Sequence, residues 1–350
     1  MQILFRTNSS EVIGSGHFLR CFYLAQEMQR ENWQVFFATS QILERHKLLL
    51  AEQNIPIFDL VNSDQNIALL EIKEISEYLS KYEIDDLDWI VIDDYRIGSN
   101  SDLLTKLISR NLLIIEDLHS EYRNCEIIVD MNFRNLKLHD QILFEYQNTK
   151  VLIGPQFALL NSEINELHKI ALSEVCEGDA QIFINFGTLD KFSLTKRTIE
   201  IILNNLPRLR MKVVIQGNNR DRALLEKLAD RFPNSIELFV EPNSLTQIMS
   251  ACRLSVGAGG ISLWERFSLG LNCIIVTTAS NQESSIVDLN KQNLVSYLGI
   301  AQNLRDSDLL ESLLINLKNI EATDRRDRRL MAISDGLGCK RVIREIIELS

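Results

Sequence analysis

Near its start the chain reads Gln2-Ile3-Leu4-Phe5-Arg6-Thr7-Asn8-Ser9-Ser10-Glu11-Val12-Ile13-Gly14-Ser15-Gly16-His17-Phe18-Leu19-Arg20-Cys21. A short continuous apolar run over 3–5 suits a strand covered on both faces. The polar stretch Thr7-Asn8-Ser9-Ser10 and the glycine loop Gly14-Ser15-Gly16 follow, and His17 closes the loop. Phe18, Cys21, Phe22, Ala25 and Met28 then recur on one helical face. Strand, glycine loop and amphipathic helix in immediate succession open a βαβ unit.

Outward from this stretch the same alternation continues. Strands are expected over 3–5, 35–38, 89–92, 112–115 and 151–153, with amphipathic segments between them. A second set is expected over 182–185, 213–215, 236–240, 254–256 and 274–276, with helices near 195–205, 221–232, 244–252, 261–270 and 282–292. Alternation of this kind implies parallel sheets with helices on both faces. The chain has 350 residues, and at roughly 150 residues per domain that suggests two domains. The expected fold is therefore α/β, of the GT-B-like kind: two Rossmann-like domains facing across a cleft. The pause in alternation after Gly154-Pro155 sets the expected bounds: 1–156 for the first domain, 157–334 for the second, and a C-terminal helix over 335–350 that can pack back on the first. Val342, Ile343, Ile346 and Ile347 form the apolar stripe of that helix. The run Arg325-Arg326-Asp327-Arg328-Arg329 before it reads as a solvated helix face.

Composition narrows the function classes. The formal net charge of -11 disfavours a nucleic-acid partner, which needs a basic face. It does not exclude an anionic ligand, because backbone N–H groups at helix N-termini hold phosphate without net positive charge. The six cysteines show no CxxC spacing and mostly lie in apolar stretches, so they read as small core residues rather than a disulfide or zinc framework. The five histidines show no metal-ligand spacing. No metal and no cofactor is expected. The opening strand lacks the basic and long apolar regions of a signal peptide, and no run reaches the ~18 apolar residues of a membrane span. The expectation is a cytoplasmic protein without membrane insertion; the oligomeric state is not legible.

In open α/β sheets ligands bind beyond the C-terminal ends of the strands, so the loops there carry the candidates. Gly14 and Gly16 are expected to take positive φ or let a ligand approach the backbone closely. His17 sits at a helix N-terminus, either as a base or as a packed side chain. The third glycine of a dinucleotide fingerprint is missing, since Leu19 stands near its place, which argues against NAD or FAD. The second constellation is Gly257-Ala258-Gly259-Gly260-Ile261-Ser262-Leu263-Trp264-Glu265. Gly259 and Gly260 suit close approach of a phosphate. Ser262 and Glu265 have two readings: a capping box closing the helix end, or a phosphate donor and a carboxylate accepting from ribose hydroxyls. After strand 274–276 come Asn281 and Gln282, either ligand-binding amides or ordinary polar loop residues. Gly187 and Thr188 follow strand 182–185, and Gln216 and Gly217 follow strand 213–215; they are candidate substrate contacts. Asp93, Asp94, Tyr95 and Asp117 follow first-domain strands. One of the acids could orient His17 or bind sugar groups, or they could be turn residues.

Together these residues resemble the PseG/SpsG family of nucleotide-sugar hydrolases, relatives of the MurG-type GT-B glycosyltransferases. The resemblance spans nearly the whole chain. It is carried by Thr7-Asn8-Ser9-Ser10, Ile13-Gly14-Ser15-Gly16-His17-Phe18-Leu19-Arg20-Cys21, Ile92-Asp93-Asp94-Tyr95, Ile115-Glu116-Asp117-Leu118 and Leu152-Ile153-Gly154-Pro155-Gln156-Phe157-Ala158-Leu159-Leu160. The second half adds Ile184-Asn185-Phe186-Gly187-Thr188, the 257–260 loop with Trp264-Glu265-Arg266, Asn281-Gln282 and Ser334-Asp335-Gly336. The resemblance implies hydrolysis of a UDP-2,4-diacetamido-2,4,6-trideoxy sugar to UDP and free sugar, a step toward pseudaminic acid and cell-surface glycans. It makes His17 the base that activates water, with Tyr95 lining the sugar side and Asn281 facing the sugar-phosphate as the other catalytic residues. It assigns Gly259, Gly260 and Glu265 to UDP, Gln282 to the sugar-phosphate, and Gly14, Gly16, Asp94, Gly187, Thr188, Gln216, Gly217 and Ser262 to substrate contacts. Two departures bear on the sugar. Many relatives have Gly-Gly-Ser-Asp where this chain has Gly187-Thr188-Leu189-Asp190, and the Asp93-Asp94-Tyr95 loop has an acid where the family's type member has histidine.

The reaction these residues can support is water attack at C1 with inversion, His17 taking the proton. A glycosyltransferase would use the same parts on an acceptor hydroxyl. A non-catalytic nucleotide-sugar-binding protein is a third reading.

Overall fold

The computed structural model describes residues 1–61, 67–99, 102, 105–173, 181–187, 190–242, 244–278, 280–323 and 325–350, the side chains of 67–69 and 280–281 excepted. The apolar runs become two all-parallel sheets. They belong to two compact units: Met1–Leu160 with Leu337–Ser350, and Asn161–Gly336. The chain passes from the first unit to the second after Leu160, because the turn Pro155–Phe157 and the buried residues Ala158, Leu159 and Leu160 still pack in the first.

The first unit contains β1 (Gln2–Thr7), α1 (Gly16–Arg30), β2 (Gln34–Thr39), α2 (Glu44–Glu52), β3 (Ile57–Asp59), α3 (Ile67–Lys81), β4 (Leu87–Asp93), β5 (Ser109–Ile115), β6 (Ile127–Asp130), α4 (Leu136–Glu145) and β7 (Lys150–Ile153). Its seven strands stand in the order β3-β2-β1-β4-β5-β6-β7. The second unit contains α5 (Glu163–Ser173), β8 (Gln181–Asn185), α6 (Leu194–Asn205), β9 (Arg210–Ile215), α7 (Arg222–Arg231), β10 (Ile236–Val240), α8 (Thr246–Ser250), β11 (Leu254–Gly257), α9 (Ser262–Ser268), β12 (Asn272–Thr277), α10 (Ser280–Lys291), β13 (Ser296–Ile300), α11 (Asp306–Glu321) and α12 (Arg328–Ile333). Its six strands stand in the order β10-β9-β8-β11-β12-β13. The last helix, α13 (Gly338–Leu349), returns to the first unit, where Lys150 pairs with Glu345 at 2.6 Å and Ser350 Oγ accepts from Trp89 Nε1.

Strand alternation fills both faces of each sheet. In the first unit Leu4, Phe36, Ile90, Ile92 and Leu112 point to the layer holding Ile75 and Leu79 of α3. On the other face Phe5 stacks on Phe37 at 5.1 Å, and Phe37 meets Phe18 of α1 at 5.6 Å. In the second unit the core joins Ile182, Ile184, Val213, Leu254 and Val256 to Leu309 and Leu313 of α11. In each sheet the strand order reverses once, between β1 and β4 and between β8 and β11. Such switch points open a crevice at the strands' C-terminal ends.

Three strands lie outside the sequence expectations. β3 and β13 are short or half-exposed at sheet edges, and β6 is a four-residue apolar run hidden among polar neighbours. The arginine run is not a solvated face throughout. Arg326 is buried and donates to the carbonyls of Cys252, Leu269 and Ser250, while Asp327 caps α12 through Arg329 N. The guanidinium thus serves backbone carbonyls that would otherwise be buried without partners. Cys21, Cys125, Cys252, Cys273 and Cys339 are free and buried. Among the described residues no helix is long and apolar enough to cross a membrane, and no group of side chains is arranged to hold a metal ion.

Candidate functional site

The switch point of the first sheet holds the first constellation. β1 ends at Thr7, opposite Asp93 at the end of β4. Between β1 and α1 the chain makes a tight loop, closed by Gly14 N donating to Ser10 O at 2.8 Å and by Ser10 Oγ accepting from Val12 and Ile13 N. Gly14 has φ +86°, a backbone conformation that a Cβ disfavours. Gly16 does not share that need. It opens α1 outside the positive-φ region, so the expectation of positive φ is corrected at Gly16, where a Cβ would meet no protein atom within 4 Å.

His17 lies in the first turn of α1, with Nδ1 at 2.6 Å from Asp93 Oδ1. Asp93 is buried completely, yet ionised. Burial pushes its carboxyl up, but the Arg20 guanidinium outweighs that and holds it below the usual range. Arg20 sits three residues after His17, on the same helical face. It grips Asp93 through Nε at 2.5 Å and Nη2 at 2.6 Å, and reaches Asp117 Oδ2 at 2.8 Å. An ionised carboxylate can only accept, so Nδ1 carries a proton, and the neutral form of the ring is then the tautomer with Nε2 as an acceptor. Among the described residues Nε2 has no hydrogen-bond partner.

Tyr95 meets the His17 ring edge-on, centroids 4.6 Å apart, and donates its hydroxyl to Asp117 Oδ2 at 2.5 Å. Burial opposes ionisation of Asp117, but Arg20 outweighs it, with help from Tyr95, and keeps the carboxyl well below its ordinary range. His17, Tyr95, Asp93, Asp117 and Arg20 therefore form one connected group. Asp94 belongs elsewhere. Its carboxylate accepts from Asn8 Nδ2 at 2.5 Å and Arg96 Nη2 at 2.9 Å and pairs with Arg6. Asn8 in turn accepts from Ser40 N and Gln41 N, so this acid braces the loops after β1, β2 and β4 from within.

The switch point of the second sheet holds the second constellation. Gly257 ends β11 opposite Asn185 at the end of β8. The two backbones are so close that a Cβ on Gly257 would lie 2.1 Å from Asn185 O. Arg266, also buried, ties down the loop by donating to Ala258 O at 2.5 Å and Ser262 O at 3.1 Å. The capping-box reading of Ser262 and Glu265 is not realised. The N-cap of α9 is Ile261 and no side chain caps it; Ser262 Oγ accepts from Arg266 instead. Glu265 is buried, and its carboxylate makes no hydrogen bond to a described residue. Burial pushes it up to about 7, the Arg266 charge offsetting only part. Its oxygens are not among the buried atoms left without a partner, so they keep access to the surface of the loop, where the hydroxyls of a ligand can meet them.

Gln282 lies over this loop. Its Nε2 would stand 3.6 Å from a Cβ on Gly260, and its Oε1 accepts from Thr278 N. Gly259 packs against Ile286 of α10. Gly187, at φ +80°, donates its N–H to Asn185 Oδ1 at 3.2 Å just beyond β8. Gln216 and Gly217 follow β9, with Gly217 beside the Glu241 carboxylate. Thr188 and the side chain of Asn281 lie outside the described residues.

Sequence reasoning had the His17 loop and Glu265 but not the Arg20 clamp or the Arg266 strap. The signal for Arg20 was its spacing of three from His17. No local signal marks Arg266, whose partners depend on the loop's path.

No protein-family model matches the chain. The resemblance seen in the residues is met by curated relatives. The chain is 24% identical to the UDP-2,4-diacetamido-2,4,6-trideoxy-beta-L-altropyranose hydrolase of Campylobacter jejuni over 83% of this chain and 97% of that enzyme. It is 23% identical to an uncharacterized protein of Methanocaldococcus jannaschii over 79% of this chain; the match spans only 55% of that longer protein. Among solved structures, MurG of Acinetobacter baumannii matches with TM-score 0.66 and 14% identity, covering 99% of each chain. The UDP-GlcNAc 2-epimerase of Neisseria meningitidis, solved bound to UDP-GlcNAc, matches with TM-score 0.64 and 13% identity, covering 99% of this chain and 100% of that one. The fold is that of the GT-B glycosyltransferases and these epimerases.

Proposed function

We propose that this chain is a UDP-sugar hydrolase: the second unit holds UDP and the first supplies the base that activates water. The observation that carries the reading is the His17 imidazole, fixed by Asp93 at 2.6 Å, with Nε2 unengaged by any described residue. The likeness to the Campylobacter hydrolase supports it and suggests the substrate, a UDP-activated 2,4-diacetamido-2,4,6-trideoxy sugar.

Water attacks C1 while His17 Nε2 accepts its proton. The bond from C1 to the phosphate oxygen breaks, its electron pair leaves with UDP, and the anomeric centre inverts. General-base assistance of this kind contributes roughly 10²- to 10⁴-fold. Asp93 stabilises the imidazolium that forms, and Arg20 keeps Asp93 ionised for that role. Tyr95 borders the sugar side, with Asn281 and Gln282 assigned to sugar and phosphate. Glu265 accepts the ribose hydroxyls on its two carboxylate oxygens. Gly259 and Gly260 let the diphosphate approach backbone N–H groups. No metal or cofactor enters these steps.

The test is a panel of UDP-2,4-diamino sugars incubated without any acceptor, UDP release being followed by phosphorus NMR. Release by the wild type, lost in His17→Asn while UDP still binds, is the expected result. Release only after a hydroxyl acceptor is added would make the chain a transferase. Binding without any turnover would make it a sensor. Near-normal turnover by His17→Asn would remove the base from this histidine.

A further inference from the structure

The arginine run plays no part in the proposed chemistry, yet it lines a concavity of about 560 Å³ within the second unit. We propose that this concavity is a binding site for a small sugar phosphate, separate from the 257–260 loop. It lies at the opposite end of the sheet from that loop. Arg253 precedes β11, Asn272 opens β12 and Ser296 opens β13, and all three line it. The six residues of β12 separate its two ends by roughly 17 Å.

Charge is the first argument. Arg253, Arg325, Arg326, Arg328 and Arg329 converge here in a chain of net charge -11. Asp327 is the one acid lining the concavity among the described residues, and Arg329 already takes it at 2.7 Å. Asp324 is the nearest other acid in sequence and lies outside the described residues. Counting both acids against five arginines still leaves an excess of three positive charges. Crowding like charges costs free energy unless an anion sits among them.

Unused donors are the second argument. Arg326 is committed to backbone carbonyls, and Arg328 donates to Leu172 O. The Arg325 guanidinium has no partner among the described residues; only its backbone is engaged, through the N–H to Thr323 Oγ1 and the carbonyl to Arg253. Arg253 uses Nη2 alone, on the carbonyls of Thr323 and Arg325, so Nε and Nη1 remain for a ligand. Guanidinium forks match phosphate oxygens in pairs. Beside them the side-chain amides of Asn272, Asn293 and Asn319 also have no partner among the described residues. Amides both donate and accept, which suits hydroxyl groups. Phosphate and polyol recognition side by side is the chemistry of a sugar phosphate, and the volume lies in the range of small-molecule sites, about 300–1,000 Å³.

The site stands apart from the nucleotide reading and is tested apart from it. The full chain is titrated calorimetrically with glucose 6-phosphate at constant ionic strength, with and without saturating UDP. Glucose 6-phosphate should bind one site that UDP leaves unchanged, inorganic phosphate more weakly, and glucose not at all. Arg325→Ser removes a side chain with no internal partner, so its melting curve should match the wild type while affinity falls about tenfold. Arg253→Ser combined with Arg325→Ser should abolish binding. No glucose 6-phosphate binding, complete displacement by UDP, or equal affinity in wild type and Arg325→Ser would overturn the proposal. Equal affinity for glucose 6-phosphate and inorganic phosphate would overturn the role of the amides. Failure of UDP itself to bind would defeat the hydrolase reading and leave this comparison intact.

Discussion

Glutamine in place of Glu265 should make the ligand-free protein more stable at neutral pH while weakening its hold on UDP. Glu265 is 6% exposed, and burial raises its carboxyl from 4.5 to about 7. In the unfolded chain it ionises near 4.5, so between these values the folded state holds a proton that unfolding releases. The sign follows from linkage: the stabilising contribution is complete below pH 4.5 and is lost as pH rises through about 7. A rise of roughly 2.5 units at ~1.4 kcal/mol per unit gives about 3 kcal/mol lost by pH ~8. Glutamine has the shape of the protonated carboxyl and no charge, so it escapes that loss at every pH. Urea unfolding of both proteins, followed by tryptophan fluorescence from about pH 5 to about pH 8, measures the difference. The stability gap between variant and wild type should be small at the acid end and widen to about 3 kcal/mol at the alkaline end. Parallel pH profiles would refute the reasoning, because they would mean that the folded and unfolded carboxyls ionise alike. UDP affinity should move the other way. The wild type should bind more tightly as pH rises toward about 7, when the carboxylate can accept from ribose, and the variant should bind weakly with no such dependence.

Three further outcomes follow from other residues. Asp93→Asn replaces the carboxylate that sets the His17 tautomer by an amide that can turn a donor toward Nδ1, so turnover should drop by roughly two to four orders of magnitude with UDP affinity nearly unchanged, read as a kcat effect in steady-state kinetics. Arg326→Leu orphans the buried carbonyls of Cys252, Leu269 and Ser250 and should cost about 2–4 kcal/mol in denaturant unfolding. His46 is buried against Phe18, ring centroids 4.1 Å apart, and burial with the Arg45 charge lowers it from 6.5 to about 3. Its neutral form is therefore the folded one, and the stability it confers is present above pH 6.5 and lost as pH falls toward about 3; His46→Gln should flatten that acid limb in thermal melts.

Much of the fold is local information. The runs 35–38, 89–92, 213–215 and 236–240 each state their strand in their own residues, and the stripe from Phe18 to Met28 states its helix, because periodicity is carried by near neighbours. β3, β6 and β13 were not legible for the same reason: too short, or too half-exposed, to show a period of their own.

By itself the sequence determined the two sets of alternating strands and helices, and the two glycine loops that follow their strands. It named His17 and Glu265 and left each with two readings. Only the tertiary structure decided among the acids. Successive residues on a strand point to opposite faces, so the last residue of β4 settles everything. Asp93 faces α1 and takes His17 and Arg20, while Asp94, one residue on, turns to Asn8, Arg6 and Arg96. The same holds for Glu265. Its spacing from Ser262 fits a cap, but the path of the 257–260 loop leaves Ile261 at the helix end, hands Ser262 to Arg266, and leaves the largely buried Glu265 with no hydrogen bond from a described residue to its carboxylate. Spacing along the chain says which side chains can meet. Burial and the exact end of a strand or helix, which depend on residues far away in sequence, say which ones do.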